Sequence, residues 1–258
     1  MKKEIQDFTV ISNVFVNKEH FLLKAQLPKP LLPILSGQFV EIKVDNEPDT
    51  FLRRPISIHD VDYENHTITF LIRVCGKGTG KLSTLRPQES VSIVYPLGVG
   101  FTVEQGKYLL IGGGVGTAPL YYLARKLNEI NIFPDIIIGA RDKEALFDTK
   151  KYQSLGNVYI TTEDGSVGER GFVTQHSILS RPENYTHICT CGPEAMMKAV
   201  AQYAAKHRIR CEVSLENTMA CGIGACLCCV TETVEGHNVC VCTEGPVFDA
   251  EKLNLSKI

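Results

Sequence analysis

The densest chemistry in the sequence lies among four cysteines near its C-terminus. Cys221, Cys226 and Cys229 follow the spacing C-x4-C-x2-C, and twelve residues separate Cys229 from Cys242. Four thiolates are what a [2Fe–2S] centre requires, and the first three match plant-type ferredoxin spacing. Gly222 and Gly224 let the loop wrap closely and aim backbone N–H groups at the sulfurs. Structural zinc is the alternative; it usually presents two C-x2–4-C pairs, and only Cys226/Cys229 has that form. Spacing favours Cys229 over the adjacent Cys228, and it leaves Cys242 against Cys240 open. Seven of the ten cysteines lie between Cys211 and Cys242, while the N-terminal MKKEIQDFTV has no apolar run after its charges. That combination reads as metal ligation in a reducing compartment, so a cytoplasmic protein is expected. Cys75 and Cys211 are expected to be small buried apolar residues.

Two further segments are built to meet phosphates. Gly112-Gly113-Gly114-Val115-Gly116-Thr117-Ala118-Pro119 joins an apolar strand to a helix, whose N-terminus offers free N–H groups and positive dipole to a pyrophosphate. It is neither a strict G-x-G-x-x-G fingerprint nor a P-loop. Cys191-Gly192-Pro193 ends another strand and opens another helix, so both loops are expected at one sheet edge. Earlier, Arg54-Pro55-Ile56-Ser57 and the glycine-rich Gly76-Lys77-Gly78-Thr79-Gly80 pair an arginine with a phosphate-sized turn. Alone, an arginine on an edge strand is a solvated charge; beside that turn it becomes a candidate anion site.

The elements that must position these residues fall into three parts. Residues 1–102 carry runs such as Phe8–Val16, His20–Leu27, Gln38–Val44, Thr67–Val74 and Val91–Val94, which predict an antiparallel β-barrel or sandwich. Residues 103–212 alternate strand and helix, the clearest helices following Pro119 and spanning Glu194–Lys206, which predicts a parallel sheet covered on both faces. Residues 213–258 form a lobe too small to own a core, one needing a metal centre or a neighbour. Across 258 residues, 44% hydrophobic and 22% charged content with a net charge of −2 describes a protein with a real core. No global basic field points to nucleic acid, and no apolar stretch is long enough for membrane insertion.

Taken in order, RPIS at 54–57, IRVCGKGTG at 72–80, PLGVGF at 96–101, GGGVGTAP at 112–119, DGSVGERG at 164–171, CGPEAMM at 191–197 and ENTMACGIGACLCC…VCTEGPVF at 216–248 form a family pattern. The chain resembles the electron-transfer subunits of NAD-dependent, class 1B dihydroorotate dehydrogenases, members of the ferredoxin reductase superfamily. The resemblance implies an FAD-binding β-barrel, an NAD-binding α/β domain and a [2Fe–2S] lobe. By position, Arg54, Pro55, Ile56, Ser57, Leu71, Ile72, Arg73, Gly78 and Thr79 would meet FAD. Gly112, Gly113, Gly114, Gly116 and Thr117 would meet NAD phosphates, with Cys191 as catalytic residue and Gly192 and Pro193 near the nicotinamide. It also implies Cys242 as the fourth ligand.

The family's members pass electrons between NAD and a catalytic partner that contains FMN and oxidises dihydroorotate to orotate in pyrimidine biosynthesis. Flavin belongs between a hydride donor and a one-electron cluster because it handles both. The resemblance implies two of these chains with two catalytic subunits in a heterotetramer, and Pro246-Val247-Phe248 is a candidate patch for the partner. A related flavoprotein subunit serving a sulfide dehydrogenase, transhydrogenase or hydrogenase is the alternative within the class; a zinc-binding nucleotide sensor is the alternative outside it. Arg141 would suit the 2′-phosphate of NADP, but Asp142 and Glu144 repel one, which favours NAD. Glu216 is read either as a polar contact at the flavin or nicotinamide, or as a loop-stabilising carboxylate.

Overall fold

The computed structural model describes residues 2–147 and 149–257. Its first part contains β1 (Glu4–Phe15), β2 (His20–Gln26), β3 (Phe39–Ile42), β4 (Arg54–Ser57), β5 (Asp60–Asp62), β6 (Thr67–Arg73), the short helix α1 (Lys77–Leu82) and β7 (Ser90–Leu97). These strands build one antiparallel sheet in the order β4-β3-β7-β1-β2-β6-β5. Alternation decides which face turns inward. In β2, Phe21, Leu23 and Ala25 join Phe8, Ile42, Ile68 and Phe70 in a buried core. The expected barrel does not close, since β4 and β5 are the two ends of the ladder; the sheet is a half-barrel. RPIS is itself a strand, β4, and the glycine-rich turn runs directly into α1. Cys75 just before that turn is exposed, not buried.

The second part alternates as its periodicity requires. It contains β8 (Tyr108–Gly113), α2 (Ala118–Glu129), β9 (Asp135–Ala140), α3 (Lys150–Gln153), β10 (Asn157–Thr162), β11 (Glu169–Arg170), β12 (His187–Cys191), α4 (Glu194–His207) and β13 (Arg210–Ser214). Pro119 stands in the first turn of α2, where no N–H is required. One side of α2 puts Leu120, Leu123, Ala124 and Leu127 into the core of this sheet. The other side meets the half-barrel. Tyr122 Oη donates to Ile34 O (3.4 Å), Arg125 pairs with Asp60 and donates to Val61 O (3.2 Å). His59, buried just after β4, lies 2.9 Å through Nδ1 from Ala118 O and stacks on Tyr121.

Beyond β13 come β14 (Val230–Glu232), β15 (Asn238–Cys240) and β16 (Val247–Asp249). β14 and β15 form a separate hairpin, while β16 joins the edge of the second sheet, giving the order β11-β10-β9-β8-β12-β13-β16. β16 runs antiparallel to β13, with Val213 opposite Phe248. Val247 is buried and Phe248 packs on the core of this sheet. The proposed patch for a partner at Pro246-Val247-Phe248 is therefore corrected: these residues are used inside the chain.

Burial keeps the Asp60 carboxyl above its ordinary pKa even with Arg125 beside it. Removing the guanidinium strands that carboxyl at the contact between the two sheets. R125A should lose about 2 kcal/mol of stability; an unchanged denaturation midpoint would show that α2 is held by its tyrosines alone.

Candidate functional site

The two phosphate-type loops meet backbone to backbone. β8 and β12 are parallel neighbours, with Cys191 opposite Gly112, so the loops leaving them emerge side by side. A Cβ on Gly116 would sit 2.5 Å from Cys191 O and from Gly192 Cα. One on Gly192 would lie 3.0 Å from Gly113 N. Only glycine fits such an approach. Thr117 is fully buried, and its hydroxyl donates to Gly114 O (3.0 Å), so it shapes the loop and does not face outward. Beside the loops lies a cleft of about 470 Å³ lined by Gly113, Gly114, Val115, Pro193 and Met196 at one end. It runs past Gly139 and Ala140 to Arg141 and Glu163.

On the half-barrel side, the structure brings together two motifs that the sequence keeps apart. A Cβ on Gly78 would lie 2.9 Å from Arg54 Cδ and 3.2 Å from Thr50 Cγ2, which sets the Arg54 side chain directly on the start of α1. Arg53 is committed elsewhere, donating to Ser92 O (2.8 Å) and Ser92 Oγ (3.1 Å). Thr79 Oγ1 accepts from Cys75 N (2.9 Å) and so tightens the turn. Leu71 and Ile72 are buried in core clusters, which leaves their backbone as the part that can meet a ligand. Arg73 is exposed at the end of β6. Pro55, Ile56 and Ser57 are half-buried along β4.

A second cleft, of about 530 Å³, joins Gly192, Pro193 and Met197 to Leu215, Glu216 and Asn217. Glu216 opens to this cleft but is hemmed in by protein elsewhere, and burial raises its pKa. Cys191 is buried, and desolvation followed by the Glu216 charge pushes its thiol well above the ordinary value. It stays protonated, and it is not among the residues that line either cleft, so any part it plays is as a neutral buried group.

The cysteine loop is shaped for thiolates. Cys221 Sγ accepts from the N–H groups of Ala225 (3.3 Å), Cys226 (3.4 Å) and Ile223 (3.5 Å). Cys226 Sγ accepts from Cys228 N (3.5 Å), and Cys229 Sγ from Cys242 N (3.4 Å). Burial would raise the Cys221 pKa, yet the donors from Ile223, Cys226 and Ala225 bring it down to about 6. Among the described residues no group of three or more His, Cys, Asp or Glu side chains is gathered closely enough to hold a metal ion. The thiols come instead as two neighbouring pairs, Cys221 beside Cys226 and Cys229 beside Cys242. Two pairs of cysteines suit the two irons of a [2Fe–2S] centre. Cys240 also reaches Cys229, so geometry alone does not separate it from Cys242.

Sequence reasoning missed Glu41. It stands in β3 opposite Pro55, is 1% exposed, and neither carboxyl oxygen has a hydrogen-bond partner among the described residues. A Cβ on Gly222 would lie 2.8 Å from its Cγ, so it sits between the RPIS strand and the cysteine loop. Desolvation, opposed by Arg54 and Arg53, raises its pKa to about 7. The available signal was a charge inside the apolar run FVEIKV.

Residues 216–254 match the family described as the iron-sulfur cluster binding domain of dihydroorotate dehydrogenase B, and residues 110–202 match the oxidoreductase NAD-binding domain. The dihydroorotate dehydrogenase B (NAD(+)) electron transfer subunit of Shouchella clausii is 37% identical across 99% of this chain and 100% of its own length. Its counterpart from Bacillus cereus strain Q1 is 41% identical over 82% of this chain and 84% of its own. Among solved structures, an NADH-dependent reduced ferredoxin-NADP oxidoreductase superposes with a TM-score of 0.86 at 27% identity, covering 96% of this chain and 90% of the other. The ferredoxin reductase of carbazole 1,9a-dioxygenase shares the fold at a TM-score of 0.68 and 17% identity, over 81% of this chain and 67% of its own.

Two outcomes follow from the site. Gly116→Ala places a methyl against backbone that cannot yield, so dinucleotide binding should be lost while the protein stays folded by circular dichroism. The fold holds Glu41 preferentially protonated. Its stabilising contribution is full below the ordinary value of 4.5 and lost as pH rises through about 7. E41Q should match wild-type stability at about pH 4 and exceed it by roughly 3 kcal/mol at about pH 8. Parallel denaturation curves at the two pH values would refute this.

Proposed function

The chain belongs to the electron transfer subunits of dihydroorotate dehydrogenase B (NAD(+)), and from that premise we propose how its clefts and loops divide the work. It is an NAD-linked oxidoreductase subunit using FAD, a [2Fe–2S] cluster and NAD, and it supports oxidation of dihydroorotate to orotate on a catalytic partner. Bound flavin supplies the exchange between two-electron hydride transfer and the single electrons that an iron–sulfur cluster carries.

The chain's residues set up that exchange. Arg54, stacked on Gly78, holds the flavin's pyrophosphate with Gly78 and Thr79, while Pro55, Ile56 and Ser57 shape the ring site beside them. Leu71 and Ile72 contribute backbone and Arg73 its guanidinium. The Gly112–Gly116 backbone receives the NAD pyrophosphate, with Thr117 bracing the turn. Gly192 and Pro193 admit the nicotinamide into the cleft shared with Glu216, and the neutral, buried Cys191 thiol directly precedes them in the chain. Cys221, Cys226, Cys229 and Cys242 hold the cluster, and backbone N–H groups offset the charge on its sulfurs.

The observation that carries this reading is the placement of the cysteine loop against β3, where Gly222 touches Glu41 opposite the RPIS strand. It leaves a short path from the flavin site to the cysteines. On the outer side of the loop, Ile223 and Leu227 are exposed and give an FMN-bearing catalytic subunit an apolar face to cover. Two chains of each kind form the assembly. No helix among the described residues is long and apolar enough to cross a membrane.

Protein purified without oxygen should show flavin bands over broad iron–sulfur absorption, both bleached by NADH. C242S should lose the iron–sulfur absorption and keep the flavin, whereas C240S should keep both. The reverse pattern would move the fourth ligand to Cys240, and a colourless protein would defeat the reading.

A further inference from the structure

At its far end, away from Pro193, the long cleft is bordered by the turn between β1 and β2. This turn belongs to the half-barrel yet is fastened to the nucleotide-binding sheet. Asn17 Nδ2 donates to Ala145 O and Leu146 O (3.4 Å each). Lys18 Nζ pairs with Glu144 Oε2 at 3.0 Å, and the His20 ring lies 6.0 Å from that of Phe147. Glu19, within this turn, reaches two cations: Arg73 Nη2 at 3.0 Å and Arg141 Nη2 at 3.9 Å. Glu19, Arg73, Arg141 and Glu163 all line the cleft, two cations against two anions.

Arg141 directly follows β9, and Glu163 directly follows β10. A dinucleotide whose pyrophosphate rests on Gly112–Gly116 extends along these strand ends, which brings its adenosine ribose to Arg141. An arginine there is what a ribose 2′-phosphate needs. Of the two anions that closely follow Arg141 in the chain, Asp142 accepts through Oδ1 from Glu144 N and Ala145 N (2.9 Å each), and Glu144 pairs with Lys18. Among the described residues, the ion pair that reaches Arg141 is the one with Glu19.

We propose that Glu19 sets the preference for NAD over NADP from across the boundary between the two sheets, by occupying the Arg141 guanidinium that a 2′-phosphate would need. This rests on reading the cleft as the NAD site. The device withholds a cation and leaves NAD itself untouched, an economical way to disfavour a ligand that differs by one charged group.

The test uses the intact flavoprotein as wild type, E19Q and E19Q/R141A, titrated calorimetrically with NAD+ and NADP+. FAD content is measured in parallel because Arg73 also loses a partner. E19Q should bind NADP+ about fivefold more tightly, the upper end of what an exposed ion pair supplies, with NAD+ affinity unchanged. Adding R141A should abolish that gain. Unchanged NADP+ affinity in E19Q, or a gain that survives R141A, overturns the inference. A Gly116→Ala variant that binds NAD+ as tightly as the wild type would instead overturn the assignment of the cleft.

Discussion

The strip from Gly245 to Asp249 is the contact on which the rest of the molecule depends. Gly245 O accepts from Val99 N at 2.6 Å, and Pro246 O from Leu215 N at 2.9 Å; the strand that follows pairs with β13. Gly98 makes room for it, since a Cβ there would lie 2.5 Å from Pro246 Cδ. One short strip therefore touches the half-barrel, closes the edge of the parallel sheet and ends the cysteine segment. Residues 216–244 become an excursion between two hydrogen-bonded strands, with both feet on the same sheet. A loop of glycine and cysteine with little core of its own borrows its rigidity from that anchorage.

The same economy governs charge. Partly buried ionic groups at the contact between the sheets are paired, as Arg125 is with Asp60. Glu41 differs: neither carboxyl oxygen has a hydrogen-bond partner among the described residues, and burial outweighs the pull of Arg54 and Arg53 because a desolvated charge is costly. It stands where β3 meets the cysteine loop. A group held near neutrality at that junction leaves the local field responsive to whatever charge the neighbouring sites acquire.

Much of this was legible in the sequence because it was local. Strands such as β2 and β6 follow from alternation, α2 and α4 from helical spacing, and the glycine loops from turn chemistry at a strand's end. The cysteine spacing named its own metal chemistry. What stayed hidden was produced by long-range pairing. No local pattern says that β16 will complete the sheet antiparallel to β13, so Pro246-Val247-Phe248 reads as a candidate partner patch even though a lone phenylalanine such as Phe248 is more often local core. Short, closely spaced strands suggest a barrel or sandwich and the family resemblance a barrel, yet closure depends on whether β4 and β5 meet. Glu41 was passed over because periodicity marks positions as inside or outside and is silent about what lies opposite. Cys75 was misjudged for a related reason: residue type favours burial, but the turn it precedes carries it outward.

Helix α2 has a consequence for how such proteins can be recombined. It begins at the glycine loop that follows β8, and along its length Tyr122 and Arg125 are tied to Ile34, Asp60 and Val61 of the half-barrel. The natural seam for exchange between relatives is therefore not the linker between the two sheets. A half-barrel moved without its matching Ala118–Glu129 segment would arrive with its mating surface facing a stranger. The heritable module is the half-barrel together with the helix that leans on it, a unit that crosses the line a domain diagram would draw.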